Sequence, residues 1–471
     1  MLTASHLTPL GSRLALGVFA FGLLGLLIAS QPAWKLTDFD QHFYTKLAYD
    51  LDKYGVFSNG PFNSVDSTIT APAPGMFFGP TYPVLVLAAM KLDQRFADAV
   101  RCSVEAHRKH RDENTCEAYL TPIRLMNAFL LSIGVVAVGT AAELIFRRRL
   151  ISVFSGTLAL TALALEADIF SYIMTESTSF SLYTVLMLTV LLAWRTRRIW
   201  QFSLSGLLLG ALCLTKPSFL VLFPAIAAAT FLHGFCVLKA TQRSTWAHVL
   251  AFTLAFALVI GTWVIRNTVS VGKVGLTEEY GAAVLIERFA YNDMRAREFL
   301  LAFPYCTPGL GDVAFDLVYG NDSMHRFVFH TPDSFFHVGR GWRDKLVEDY
   351  GRIDPIIRGI FVDEMRTNWW RHILVSIPLA WCGMWAGWIV SLFLVPLFCW
   401  AVVRALRAGQ LLLPLYAAPA VIMLALHAAV GNHYTRYNLI LVGPYAVGAA
   451  WIIWSWLLNA HWRWRSLAQE P

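Results

Sequence analysis

Long apolar runs alternate along this chain with short basic connections and two long, more polar stretches. A run of about 20 apolar residues is what a helix needs to cross a hydrocarbon layer, whereas a membrane barrel would show alternating segments of about ten residues. In hydrocarbon every backbone group needs a partner within its own segment or in a closed barrel, so the runs are read as helices. The pattern predicts ten spans, at residues 14–34, 120–146, 150–167, 177–194, 200–215, 218–238, 247–266, 381–403, 411–430 and 439–458. The first follows Arg13 and is read as an uncleaved span rather than a signal peptide, because it is long and lacks a clear small-residue cleavage pattern.

Two long loops fall on the same, non-cytoplasmic side of this topology. The first, 35–119, holds an amphipathic stretch from Asp40 to Tyr54, a Pro/Gly-rich turn region from Ala71 to Pro83, and an apolar helix from Tyr82 to Leu92 that is too short to span and is expected in the interface. The second, 267–380, is rich in charged and aromatic residues and is expected to form a small helical cap. The expected fold class is an all-α polytopic membrane protein of about ten transmembrane helices. Its parts are a membrane module over 1–266, the cap over 267–380 and C-terminal membrane helices over 381–471.

Composition agrees: 56% of the 471 residues are hydrophobic and 17 are Trp, too apolar for a soluble domain of this size. The net charge of +7 raises the question of nucleic acid, but its location answers it. Basic residues gather at Arg147, Arg148 and Arg149, at Arg195, Arg197 and Arg198, at Lys239 and Arg243, at Arg404 and Arg407, and at Arg463 and Arg465. Each cluster lies between apolar runs or just after the last, where cytoplasmic charge belongs, so the clusters report topology and place both termini inside. No nucleic-acid partner is implied. The seven cysteines include no CxxC pair, and Cys102 and Cys116 share the first loop, where an oxidising compartment would favour bridging them.

Chemistry is suggested first by the stretch from Asp38 to Tyr54. Asp40, Tyr44, Leu47, Ala48 and Leu51 share one helix face, with Asp40 in the first turn, where a carboxylate could act as a general base. The alternative is that Asp38 and Asp40 only cap the helix. Lys216, Arg266 and Arg436 stand out differently: all three lie at expected outer ends of spans, against the usual bias of basic residues. They could hold an anion, snorkel to headgroups, or pair with a loop carboxylate such as Glu176. Glu166 reads as a loop residue and His42 as a surface histidine; with no partner at ligand spacing, no metal site is expected.

The order of short motifs carries a resemblance. Asp40, Tyr44, Ala48 and Gly55 are followed by GPTYP at Gly79 to Pro83, TES at Thr175 to Ser177, GLLLGALCLTKP from Gly206 to Pro217, WVIRN from Trp263 to Asn267 leading into Gly272, and TRY at Thr435 to Tyr437. This series resembles the membrane glycosyltransferases of the GT-C class, the group that includes protein O-mannosyltransferases and lipid A aminoarabinose transferases. The resemblance implies an inverting transfer, outside the cytoplasm, of a sugar from a polyprenyl-phosphate donor to a lipid, glycan or protein acceptor. It implies Asp40 as catalytic base with Asp38 as the fallback, Arg266, Lys216 and Arg436 on the donor phosphate, and Tyr44, Glu176 and Tyr82 positioning substrate. The sequence DFDQ departs from relatives in which Asp is followed directly by Glu or a small polar residue, which leaves the choice of carboxylate open. No cofactor is expected: there is no P-loop and no GxGxxG. The setting expected is a bacterial inner membrane with the site facing the periplasm. An O-antigen ligase or polymerase, and a lipid or solute transporter, are the alternatives, though ionisable residues are scarce at mid-span, where a transporter would keep them.

Overall fold

The computed structural model describes residues 9–36, 38, 40–60, 71–109, 115–234, 242–320, 323–329, 331–431 and 434–467. These residues build an all-α membrane protein. In chain order α1 is Pro9–Ala29, α2 Gln41–Tyr54, α3 Thr81–Leu92, α4 Gln94–Arg108, α5 Thr121–Phe146 and α6 Arg149–Ala164. Then come α7 Glu176–Thr196, α8 Ile199–Thr215, α9 Leu222–Leu232, α10 Gln242–Val271, α11 Tyr280–Phe289 and α12 Ala296–Cys306. The last six are α13 Phe315–Tyr319, α14 Phe335–Tyr350, α15 Asp354–Gly383, α16 Ser391–Arg407, α17 Leu412–Val430 and α18 Val442–Leu467.

Among the described residues, seven segments are long and apolar enough to cross a membrane: Leu10–Ala29, Thr121–Phe146, Glu176–Thr196, Ser244–Val271, Trp388–Arg407, Leu412–Val430 and Thr435–Leu458. Three of the ten expected spans are shorter apolar helices, at Arg149–Ala164, Ile199–Thr215 and Pro217–Leu232. At about 1.5 Å per residue these rise somewhat less than the roughly 30 Å of a hydrocarbon core, so length alone does not establish a count of ten. The expected span at 381–403 is divided. α15 ends at Gly383, the chain turns through Gly387 and Trp388 with positive φ of 95° and 47°, and α16 starts at Ser391.

One apolar core runs through α1, α5 to α10 and α16 to α18, including Leu131, Tyr183, Leu209 and Tyr416 at zero exposure. α8 lies against α10 because Gly206 and Gly210, one turn apart, leave their backbones bare: a Cβ at Gly206 would sit 2.2 Å from the Phe252 carbonyl oxygen. The short turns Arg147–Arg148 and Arg197–Arg198 share one construction. In each, an arginine in left-handed conformation ends the incoming helix and an extended arginine starts the next. Both turns lie at the end of the bundle that also carries exposed Trp200, Trp246, Trp400 and Trp456, an aromatic girdle of the kind found at a membrane boundary.

The opposite end carries both long loops. In the first, α2, α3 and α4 pack around Tyr49, Tyr82, Phe96 and Val100, with Val84 and Leu92 of α3 left exposed. Ion pairs tie α2 to α4 and α3: buried Asp50 takes Arg108 at 2.5 Å and the Ser58 hydroxyl at 2.6 Å, and Asp52 takes Arg101 of α4 at 2.8 Å and Lys91 of α3. Cys102 and Cys116 are bridged, with Cα atoms 5.7 Å apart. In the second loop, α11 to α15 form a cap around Tyr291, Phe315, Phe327 and Phe335, and a second disulfide, Cys306–Cys382, ties it to the end of α15. Cys213 and Cys399 are free, and Cys236 lies outside the described residues.

Candidate active site

Asp40 stands at the N-terminal boundary of α2, yet its carboxylate makes no capping bond to the helix. Instead Oδ2 accepts a hydrogen bond from an Arg436 terminal nitrogen at 2.8 Å, across the bundle. Asp38 is engaged locally: its Oδ2 accepts from the Lys35 N–H at 3.1 Å, closing the turn that leads into α2. The two carboxylates are thereby distinguished, one shaping the chain and one facing the cations.

The position of Asp40 is fixed by its neighbour. Gln41 is fully buried; its amide donates to the Lys35 carbonyl at 3.1 Å and its Oε1 accepts the Ile173 N–H at 3.0 Å. This joins the start of α2 to the segment that opens α7. Asn127 of α5 holds the same segment from behind through the Phe170 and Tyr172 carbonyls and the Ser177 hydroxyl. At the other end of α2, Gly55 in left-handed conformation (φ 67°) caps the helix through the Leu51 carbonyl. The GPTYP stretch seats the loop on α8: a Cβ at Gly79 would lie 2.0 Å from the Leu214 carbonyl oxygen, and Thr81 donates to the Ala211 carbonyl at 3.1 Å.

Four helix ends deliver the charged groups. Glu176 opens α7, Lys216 ends α8 just before Pro217, and Arg436 lies in the 3₁₀ turn Thr435–Leu441 ahead of α18. Lys216 Nζ reaches Glu176 Oε1 at 3.2 Å and stands 5.2 Å from the centre of the Tyr437 ring. Arg436 shares that ring at 5.1 Å, and its other terminal nitrogen points to the Met174 sulfur at 3.2 Å. The Glu176 side chain is 4% exposed, Lys216 20%, Arg436 25% and Asp40 44%, so polarity opens outward from Glu176 to Asp40. Two carboxylates face two cations, so the group is close to charge-balanced.

Aromatic rings wall this group. Tyr44 meets Tyr82 edge-on at 4.9 Å and Phe78 at 5.6 Å, and Tyr280, from the start of the cap, packs on Phe77 and Phe78. Burial raises the Tyr44 phenol far above its ordinary range, with Tyr280, Asp40 and Glu176 adding to it. Tyr280 is raised for the same first reason, so both phenols stay protonated and able to donate to an anion.

Of the residues expected from sequence, Asp40, Arg436, Lys216, Glu176, Tyr44 and Tyr82 come together. Arg266 is committed elsewhere: its two terminal nitrogens donate to the Gly75 and Phe57 carbonyls, each at 2.6 Å, and its plane lies 4.9 Å from the centre of Trp263. It clamps the two limbs of the first loop. Tyr280, Tyr434, Gln41 and Met174 have no assigned role in the sequence reading, and Tyr437 enters it only as the end of the TRY motif. Among the described residues, Glu278, Glu279 and Asp354 bring carboxylate oxygens within 4.8 Å of one another. They are engaged within the protein, Glu278 by Lys273 and Arg352, and Glu279 by the Ile353 and Asp354 N–H groups.

Compared with solved structures, the chain superimposes over 97% of its length on the archaeal oligosaccharyltransferase AglB from Archaeoglobus fulgidus, solved with an inhibitory peptide and a dolichol-phosphate, at a TM-score of 0.51 and 12% identity. The apo form of the Archaeoglobus fulgidus oligosaccharyltransferase gives 0.50 and 14% identity, again over 97% of this chain. The chain shares its fold with the matching part of these structures. The chain spans about half the length of these structures, 51% and 52%. No family model and no curated protein matches its sequence.

Proposed function

We propose that the chain is an inverting GT-C glycosyltransferase that moves a sugar from a polyprenyl-phosphate donor to an acceptor hydroxyl at the membrane face carrying Asp40. The observation that carries this reading is the Asp40–Arg436 pair: a carboxylate fit to take a proton lies 2.8 Å from a cation fit to hold a phosphate. The dolichol-phosphate in the archaeal enzyme is the same class of lipid phosphate as the donor proposed here.

In the proposed step the acceptor oxygen attacks the anomeric carbon, the carbon–oxygen bond to phosphate breaks, and the acceptor proton passes to Asp40. The charges couple these events. As Asp40 is protonated it releases its hold on Arg436 while negative charge grows on the leaving phosphate, so the guanidinium shifts its attention from base to leaving group when stabilisation is most needed. Lys216, oriented by Glu176, supplies a second cation, and the Tyr44 and Tyr280 phenols supply neutral donors. Arg266 supports the site by fixing the loop that carries Phe77 and Phe78. Tyr82 and Tyr44 form the wall against which substrate is placed. Both disulfides lie at this end of the bundle, which fits an oxidising compartment such as the periplasm of a bacterial inner membrane.

The test is transfer by the purified chain in lipid, offered a panel of defined polyprenyl-phosphate sugars with extracted lipids, glycans and proteins as acceptors. A labelled product formed with the native chain and absent with Asp40→Asn supports the reading. Transport of the intact donor across a sealed vesicle, without product, would replace it with the transporter alternative.

A further inference from the structure

At the opposite end of the bundle from Asp40, a cavity of roughly 590 Å³ opens between the ends of α5, α6, α17 and α18. One wall is cationic. Arg147 and Arg148, the residues of the α5–α6 turn, line it with exposed side chains and have no acidic partner among the described residues. The other wall is apolar, built by Leu412, Trp451 and Trp454 with further aliphatic side chains.

Three features make this more than a basic membrane edge. Arg148 and Leu411 are the boundary residues of α6 and α17, and neither helix has a side-chain cap, so the first-turn N–H groups of two helices add partial positive charge where Ile151 and Leu412 line the space. His233 lines the cavity too; it is 7% exposed, stacks on Trp194 at 5.0 Å, and makes no hydrogen bond among the described residues. Among the described residues no Asp or Glu lines the cavity, so no carboxylate there would receive the ammonium of a zwitterionic headgroup.

We propose that this cavity is a binding site for an anionic glycerophospholipid. Its phosphodiester lies between Arg147, Arg148 and His233, and its glycerol and upper acyl carbons lie along Trp451, Trp454 and Leu412. A basic pocket between membrane helices, with an apolar flank, is the general form of a lipid-headgroup site. The site is independent of the transfer chemistry, and a bound lipid would add to the Phe146–Trp451 stacking (4.9 Å) that already joins the α5–α6 hairpin to α18.

The experiment is native mass spectrometry of the full chain released from detergent micelles containing equal amounts of phosphatidylglycerol and phosphatidylcholine. The native chain is expected to retain one phosphatidylglycerol in preference to phosphatidylcholine, and the double variant Arg147→Gln/Arg148→Gln to lose that preference by roughly tenfold or more. Arg407→Gln, at the same end but outside the cavity, is expected to keep it. Should the first double variant not fold, Ser455→Phe, which fills the cavity and leaves both arginines, is expected to expel the lipid. Equal retention of the two lipids by the native chain would overturn the proposal, as would unchanged preference in both cavity variants. Preferential retention of an added polyprenyl phosphate over phosphatidylglycerol, abolished by Arg147→Gln/Arg148→Gln, would overturn the choice of lipid.

Discussion

Asp40 and Arg436 are separated by 396 positions in the chain, yet carboxylate and guanidinium meet at 2.8 Å. Asp40→Asn keeps the shape and removes the basicity, so it is expected to lower transfer by about 10²- to 10⁴-fold. The melting temperature should change little, because the Asp40 side chain is nearly half exposed and caps nothing. Asp38→Asn is expected to retain most turnover, since Asp38 is occupied with the Lys35 N–H. Turnover and thermal melts on the two variants check this, and the reverse pattern would move the base to Asp38.

The Lys216–Glu176 pair makes a different prediction, about stability. Lys216→Met leaves the buried Glu176 carboxylate without its closest cation, and such a loss typically costs about 3–5 kcal/mol. Glu176→Gln is expected to cost less, because Lys216 is 20% exposed and can turn to water. The double variant Lys216→Met/Glu176→Gln should therefore recover much of the stability lost in Lys216→Met while remaining inactive. Denaturation of the four proteins in a thermodynamic cycle measures the coupling, and strictly additive costs would show that the two charges do not depend on each other.

Much of this site was legible because its residues break local rules. Cations at the Asp40 ends of spans are uncommon, and Arg436 and Lys216 announced themselves that way. The helices were legible for the same physical reason that membranes admit so few structures. What could not be read was partnership. The pattern that marked Arg436 also marked Arg266, but whether a guanidinium meets a carboxylate or two carbonyls depends on the path of a distant loop, at Phe57 and Gly75, 209 and 191 positions away. Gln41 looked like a departure from relatives; its use as a clasp between α2 and Ile173 shows only in three dimensions. Tyr280 reaches the site from the cap, a distance that no periodicity reports.

Arg266 allows the clamp to be tested apart from the chemistry. A lysine can reach one of the two carbonyls but lacks the planar fork that reaches both. Arg266→Lys is thus expected to speed amide hydrogen exchange around Phe57 and Gly75 and to raise KM more than it lowers kcat, by loosening the loop that carries Phe77 and Phe78. Unchanged exchange in that loop, with kcat reduced as in Arg436→Gln, would instead place Arg266 on the reacting phosphate.

The cap is fastened twice, and the two fasteners can be removed separately. One is the Cys306–Cys382 disulfide, whose closed loop spans 76 positions and by chain entropy contributes at most about 4–5 kcal/mol. The other is Arg288, fully buried on α11, which donates to the Ala428 carbonyl at 2.7 Å, to the His372 carbonyl and to Asn292 and Ser376. Beside it His372 bonds the Ala429 carbonyl at 2.8 Å, so α11 and α15 both grip the end of α17, a few residues before Arg436. Cys306→Ser/Cys382→Ser should lower the melting temperature but leave the cap docked and resistant to protease. Arg288→Met leaves the buried Ala428 carbonyl without its Arg288 partner, at about 1–3 kcal/mol, and should lower turnover because the turn carrying Arg436 loses its anchor. Combining the changes should release the cap, with cleavage appearing between residues 290 and 350. A combined variant as protease-resistant as the native chain would show that the apolar contacts around Tyr291 and Phe335 hold the cap without either fastener.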